Sequence, residues 1–257
     1  MSSRDPGPLS GRRIVVTRAR EQAPELSARL RALGAEVIEL PAIEFLPPAD
    51  PAPLEGALAR LESYDWLIFT SANGVRFFLE RWRAGAGRPR WLRARLCAIG
   101  PATRRALEAA GLKVDLMPRE YVAESLLEAF APYELAGTRI LLPRAAAARD
   151  LVPAELRRRG AVVDVVEAYR TAAPEDLPER AGEIFRADRK PDWVTFTSSS
   201  TVAHLLAAVG APALAGVRVA SIGPITTAAV RAHGLEVAAE AERYTTEGLV
   251  EAILRRA

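Results

Sequence analysis

Asp65-Trp66-Leu67-Ile68-Phe69-Thr70-Ser71-Ala72-Asn73-Gly74-Val75 and Asp192-Trp193-Val194-Thr195-Phe196-Thr197-Ser198-Ser199-Ser200-Thr201-Val202 are two versions of one pattern. In each, an apolar run of strand length stops at Thr-Ser and a helical pattern follows. A continuous apolar run marks a strand covered on both faces, as in a parallel sheet. A strand that passes into a helix through small residues exposes backbone N–H groups at the positive end of the helix dipole. That end suits a carboxylate or a phosphate. Ser and Thr there also cap the helix, which is the plainer reading of one copy. Two copies at matching places point to a ligand shared by two similar halves.

Strands and helices alternate outward from these stretches. Ile14–Val16 reads as a strand and Glu25–Leu33 as a helix with Leu26, Leu30 and Leu33 on one face. Val37–Leu40 is the next strand, and Pro41, Pro47, Pro48, Pro51 and Pro53 mark a break. Helices follow over Leu54–Leu61 and Val75–Trp82, then an exposed Gly/Arg/Pro loop over Ala84–Arg90. Next come strand Leu96–Ile99, helix Pro101–Ala110, strand Val114–Met117 and helix Glu124–Phe130. The pattern then restarts. Gly137–Arg144 echoes Gly11–Arg18, and Ser221–Ile253 matches Ala98–Phe130 with 14 of 33 positions identical. Each half reads as five strand–helix units, which predicts two flavodoxin-like, doubly wound parallel-sheet α/β domains, internally duplicated. Ligands of such sheets sit at the carboxyl ends of the strands, so a cleft between the two sets of ends is the expected site.

Composition narrows the class. With 49% hydrophobic and 26% charged residues the chain reads as a soluble globular protein; its lone cysteine and the lack of a signal or membrane-spanning pattern make the cytoplasm the expected compartment, and a net charge of +3 is too small to argue for nucleic acid. No apolar run reaches membrane-spanning length, and Met1–Ser10 reads as a loose tail without signal-peptide order. One cysteine, Cys97, permits no disulfide within the chain. With only His204 and His233 beside it, no ordinary zinc site is expected. All but two of the 35 basic residues, Lys113 and Lys190, are arginine. Arginine grips carboxylates with a planar fork, although base composition produces the same bias.

The turns after the first strands, Thr17-Arg18-Ala19-Arg20 and Pro143-Arg144-Ala145-Ala146, contain no glycine. They are neither dinucleotide fingerprints nor P-loops. The central strands end in Thr70 and Thr197 rather than Asp, which disfavours a phospho-acceptor, and Gly-x-Ser-x-Gly is absent. Arg18 and Arg144, at strand ends, are candidates for carboxylate binding, with a merely solvated surface arginine as the alternative. Thr70, Ser71, Ala72, Asn73 and Gly74 form one candidate anion turn, and Ser198, Ser199, Ser200 and Thr201 the other. Gly100-Pro101-Ala102-Thr103 and Gly223-Pro224-Ile225-Thr226-Thr227 open further helices. There Gly100, Thr103, Gly223, Thr226 and Thr227 are candidate ligand contacts, with capping as the alternative for the threonines. Tyr121 and Tyr244 precede helices with Glu124 and Glu247 in their first turns, and both read mainly as packing. Tyr169 differs: its positional echo, Ile43-Glu44-Phe45, carries no hydroxyl. A phenol in one half of a duplicated site is a candidate for asymmetric chemistry; a half-buried structural tyrosine is the plain alternative.

Taken together, Thr-Ser-x-(Asn/Ser)-x-Val, the doubled Ile-Gly-Pro-x-Thr, the doubled Tyr-x-x-Glu-x-Leu and Ala168-Tyr169-Arg170-Thr171 resemble the uroporphyrinogen-III synthase family, from Gly11 to Leu254. The repeat alone divides the chain into tandem halves near Tyr133. The resemblance instead implies a discontinuous first domain, residues 1–41 with 168–257, and a second domain over 46–165. Two linker crossings, at 41–46 and 165–170, would form a two-stranded linker. It further implies cyclisation of the linear tetrapyrrole hydroxymethylbilane with loss of water and inversion of ring D through a spiro intermediate, without metal or cofactor. Tyr169 matches the family's favoured proton donor. A monomer is expected, with possible handover from the upstream bilane-forming enzyme. The competing class is a non-enzymatic two-domain binding protein for an anionic small molecule.

Overall fold

Alternating strands and helices close into two parallel sheets in a computed structural model, which describes residues 7–85, 92–146 and 150–257. Most of the expected tail and of the Ala84–Arg90 loop lies outside the described residues. In chain order the elements are β1 (Arg13–Val16), α1 (Ala23–Ala32), β2 (Glu36–Glu39), β3 (Glu44–Leu46), α2 (Ala52–Ala59), β4 (Trp66–Phe69), α3 (Ala72–Ala84), β5 (Arg95–Ala98), α4 (Pro101–Ala109) and α5 (Ala123–Ala129). They continue with β6 (Arg139–Ala145), α6 (Leu151–Arg158), β7 (Val162–Ala172), α7 (Leu177–Arg186), β8 (Trp193–Phe196), α8 (Ser199–Val209), β9 (Arg218–Ser221), α9 (Pro224–Ala232), β10 (Ala239–Glu240) and α10 (Thr246–Leu254). The chain divides into two compact units, residues 1–44 with 172–257 and residues 45–171.

The first unit holds a sheet of order β10-β9-β8-β1-β2 with parallel pairing. Renumbered within the unit, that is 2-1-3-4-5 from the other edge, the flavodoxin-like order. Alternation along the strands serves two cores. Ile14, Val16 and Trp193 face Leu26 and Leu30 of α1 and Leu249 of α10. Val15, Val194 and Phe196 face Phe185 of α7, Leu205 of α8 and Val230 of α9. All four residues of β8, Trp193-Val194-Thr195-Phe196, are buried, which is why the strand does not alternate between buried and exposed positions.

The second unit holds a sheet of order β3-β7-β6-β4-β5. Leu67, Phe69 and Leu141 pack with Phe78 on one face, and Trp66, Ile68 and Ile140 with Phe130 and Leu156 on the other. The strand expected over Val114–Met117 is reduced to a single bridge, Cys97 to Leu116. Beside it the Asp115 carboxylate accepts the Leu96 N–H at 2.8 Å. Counting that bridge as a fifth position, β7-β6-β4-β5-bridge repeats β2-β1-β8-β9-β10. The second unit is thus a circular permutation of the first: its chain enters at the third position and returns to the first two. A cut near Tyr133, the division that the repeat alone implies, passes through the second unit between α5 and β6.

Candidate functional site

The strand register aligns the candidate residues at the carboxyl end of each sheet. In the second unit, Leu67 pairs with Leu141 and Phe69 with Ala98. Carried onward, this register sets Thr70 beside Arg144 and Ser71 beside Gly100. In the first unit, Val16 pairs with Thr195 and Phe196 with Ser221. Thr197 therefore falls beside Arg18, and Ser198 beside Gly223. Each unit thus presents the same four-residue set, built from backbone pairing alone.

Both Thr-Ser turns cap helices. Ser71 Oγ accepts the Gly74 N–H at 3.0 Å, and Ser198 Oγ accepts the Thr201 N–H at 3.3 Å. The two serines are extended, and helices α3 and α8 begin immediately after them. Their hydroxyl oxygens therefore accept at the cap, which leaves each O–H proton to donate elsewhere. An anion would also meet the backbone N–H groups of Ala72 and Asn73 in one turn, and of Ser199 and Ser200 in the other, which have no intrahelical partner by construction.

Ser71 makes a second contact that Ser198 does not. Its Oγ lies 3.1 Å from the Tyr169 hydroxyl. Tyr169, on β7, is 8% exposed, its ring stacked on Phe77 at 5.6 Å and edge-on to Phe45 at 5.8 Å. The structure thus joins two candidates that are 98 residues apart in the sequence. Phe45 and Phe77 hold the phenol; in the sequence Phe77 reads as ordinary core, and Phe45 only as part of the hydroxyl-free echo of Tyr169.

The arginines are not solvated surface groups. The Arg18 side chain is 16% exposed, its Nη1 lies 3.9 Å from Glu25 Oε2, and Nε and Nη1 make no hydrogen bond. Burial pulls its pKa down, partly offset by Glu25. A guanidinium held short of hydrogen-bond acceptors is a receptive place for a carboxylate. Arg144 is 13% exposed and its Nη2 reaches Asp150 Oδ1 at 2.5 Å.

Two expected ligand contacts are spent inside the fold. Thr201 is buried and its hydroxyl donates to the Ser198 carbonyl at 2.8 Å. Thr227 is buried, 2.5 Å from Ser221 Oγ, and donates to Glu240 on β10. Their side chains tie secondary structure together and are not presented to a ligand. Thr103 and Thr226 are buried in the first turns of α4 and α9, and the Gly-Pro caps of these helices have no side-chain capping bond.

Tyr121 and Tyr244, expected as packing, are 57% and 66% exposed. In the first unit Tyr244, Ile225 and Gly223 share a groove of about 430 Å³ with Ser198 and Ser199. Among the described residues no group of three or more His, Cys, Asp or Glu is placed to hold a metal, and no helix is long and apolar enough to cross a membrane. Cys97 is buried in the core, where burial pushes its thiol up to about 12.

Comparison with known proteins accords with this arrangement. The family described as uroporphyrinogen-III synthase HemD matches residues 24–251. The chain is 37% identical to a uroporphyrinogen-III synthase of Synechococcus elongatus, covering 96% of both chains. It is 36% identical to a putative uroporphyrinogen-III synthase of Methanothermobacter thermautotrophicus, covering 93% of this chain and 96% of the other. The uroporphyrinogen-III synthetase of Helicobacter pylori shares the fold, with a TM-score of 0.65 at 20% identity over 95% of this chain and 99% of the other. A family match across nearly the whole chain, on a duplicated fold with the doubled turns that first signalled it, establishes that this chain belongs to the uroporphyrinogen-III synthase family.

Proposed function

We infer that the protein cyclises hydroxymethylbilane to uroporphyrinogen III, expelling water and inverting ring D. The observation that carries this reading is the family match over residues 24–251, and the site's chemistry agrees with it. The substrate bears eight carboxylates on a flexible chain. Helix N-termini and the receptive Arg18 suit those groups, and holding the bilane curled removes much of the entropic cost of closure. Loss of hydroxide from the terminal CH2OH is driven by the electron pair of the adjacent pyrrole nitrogen, so the protein need supply only modest acid help.

Ser71 and Tyr169 are proposed as that help. Between them they carry two hydroxyl protons. Ser71 Oγ already accepts from Gly74, and one proton is used in the bond between the two hydroxyls. One O–H therefore remains to donate to the departing hydroxide, whichever residue carries it. The reading brings with it a cytoplasmic monomer that takes its substrate from the bilane-forming enzyme, because a free bilane closes spontaneously to isomer I. Product analysis with hydroxymethylbilane tests the function directly. Isomer III is expected, and isomer I alone, at the rate seen without protein, would refute it.

A further inference from the structure

Two tyrosines stand where the fold gains little from burying them. Tyr64 and Tyr169 are 3% and 8% exposed, yet Tyr121 and Tyr244 are 57% and 66% exposed, and they occupy equivalent places in the two permuted units. An exposed ring contributes little burial energy. Each ring lies over the glycine that opens a neighbouring helix. A Cβ on Gly100 would sit 3.3 Å from Tyr121 Cγ, and one on Gly223 only 2.8 Å from Tyr244 Cδ1. The adjacent turn in each unit uses a capping serine. These turns instead use glycine, forgoing the capping bond, and so leave room for the ring.

In the first unit the ring has a defined setting. Tyr244 and Ile225, itself 65% exposed, form an apolar wall of the groove of about 430 Å³. Ser198 and Ser199, at the N-terminus of α8, line the same groove. The groove therefore offers an exposed aromatic ring beside backbone donors for an anion. A pyrrole carrying acetate and propionate arms presents the complement: a flat ring with carboxylates one or two carbons away.

We propose that Tyr244, and Tyr121 in the second unit, are stacking platforms that each receive one pyrrole ring of the substrate. The proposal rests on the reading that the substrate is a linear tetrapyrrole. Stacking makes the same contact before and after bond making, so it supports binding and not the chemical step.

The test uses the full chain with hydroxymethylbilane, measuring KM, kcat and thermal midpoint for Tyr244→Ala, Tyr244→Leu, Tyr244→Phe and Tyr121→Ala. Either alanine variant is expected to raise KM about tenfold, in line with aromatic stacking on a heterocycle, with kcat within about twofold. Tyr244→Phe should keep the wild-type KM. Tyr244→Leu, which restores apolar bulk without a π face, should behave like the alanine. An alanine KM within about twofold of wild type overturns the proposal, as does full rescue by leucine or a Phe variant as impaired as alanine. If wild type forms isomer III and Tyr244→Ala binds normally, only the stacking role falls. If wild type forms no isomer III, the enzymatic reading itself has failed.

Discussion

Replacing Tyr169 by Phe separates the phenol's packing from its proton. The ring is buried between Phe77 and Phe45, and Phe occupies the same volume, so the packing survives. The loss is one hydrogen bond, 3.1 Å to Ser71 Oγ, worth about 0.5–1.5 kcal/mol of stability. Removing Tyr169's hydroxyl leaves Ser71 with its own O–H, still oriented by the Gly74 N–H. Since the leaving group is already activated by its pyrrole, turnover should fall by the low end of general-acid help, roughly 10- to 100-fold. Removing both hydroxyls with Ser71→Ala/Tyr169→Phe should deepen the loss to about 10²- to 10³-fold, within the modest acid help that the activated leaving group needs. Substrate affinity should change little, and the product should remain isomer III, because inversion of ring D depends on how the bilane is held. The assay is single-turnover kinetics with isomer analysis of the oxidised porphyrins. A wild-type rate in the Phe variant would remove the phenol from the chemistry. A switch to isomer I would show that it positions the substrate instead.

The Thr-Ser turns and the Tyr64 pair give further expectations. Ser198→Ala should cost about 1 kcal/mol in denaturant unfolding, the worth of the capping bond from the Thr201 N–H, with KM nearly unchanged because the backbone donors of the turn remain; a large KM effect would assign the hydroxyl proton to the ligand. Ser199→Pro places proline at the first position of α8, where it is structurally tolerated, and removes one free N–H. It should leave the thermal midpoint almost unmoved while raising KM severalfold, and an unchanged KM would refute the backbone-donor account. Tyr64 donates to Asp164 Oδ2 at 2.5 Å, and burial together with that bond pushes its phenol up to about 12. A folded pKa above the unfolded value of ~10 gives stability that is complete below pH ~10 and is lost as pH rises toward 12. Thermal midpoints between pH 10 and 12 should therefore fall more steeply in wild type than in Tyr64→Phe, and equal slopes would discount this bond.

Much of the site was legible because it is local. The Thr-Ser turns announced their caps through residue type and spacing, and Ser71 and Ser198 occupy the N-cap positions that an apolar run before a helical pattern implies. Direction was less legible. Thr201 and Thr227 belong to the same hydroxyl-rich turns as residues that line the groove, but helical rotation turns their hydroxyls toward Ser198 and Glu240. Tyr121 and Tyr244 misled in the opposite sense. An aromatic before a helix usually packs into the core, and only the neighbouring glycines, read as helix openers, hinted that these rings lie over backbone.

The internal repeat was plain in the sequence, but its meaning required topology. Similarity at two offsets links β1 with β6 and β5 with β9, which tandem halves would satisfy equally well. Permutation satisfies it too, and it alone agrees with the sheet orders, because β7 and β6 close the edge that β2 and β1 close in the first unit. The same comparison accounts for the one asymmetry of chemical interest. β2 ends at Glu39 after 4 residues, whereas its counterpart β7 runs for 11, to Ala172. The extra length carries Tyr169 past the end of the shared pattern, opposite Ala145 and within reach of Ser71. The first unit has no strand at that place to present a phenol to Ser198. A duplicated scaffold thus supplies two similar Thr-Ser turns, and the longer strand sets a phenol beside only one of them. The proposed loss of hydroxide from one end of a four-ring chain would draw on that difference between the units.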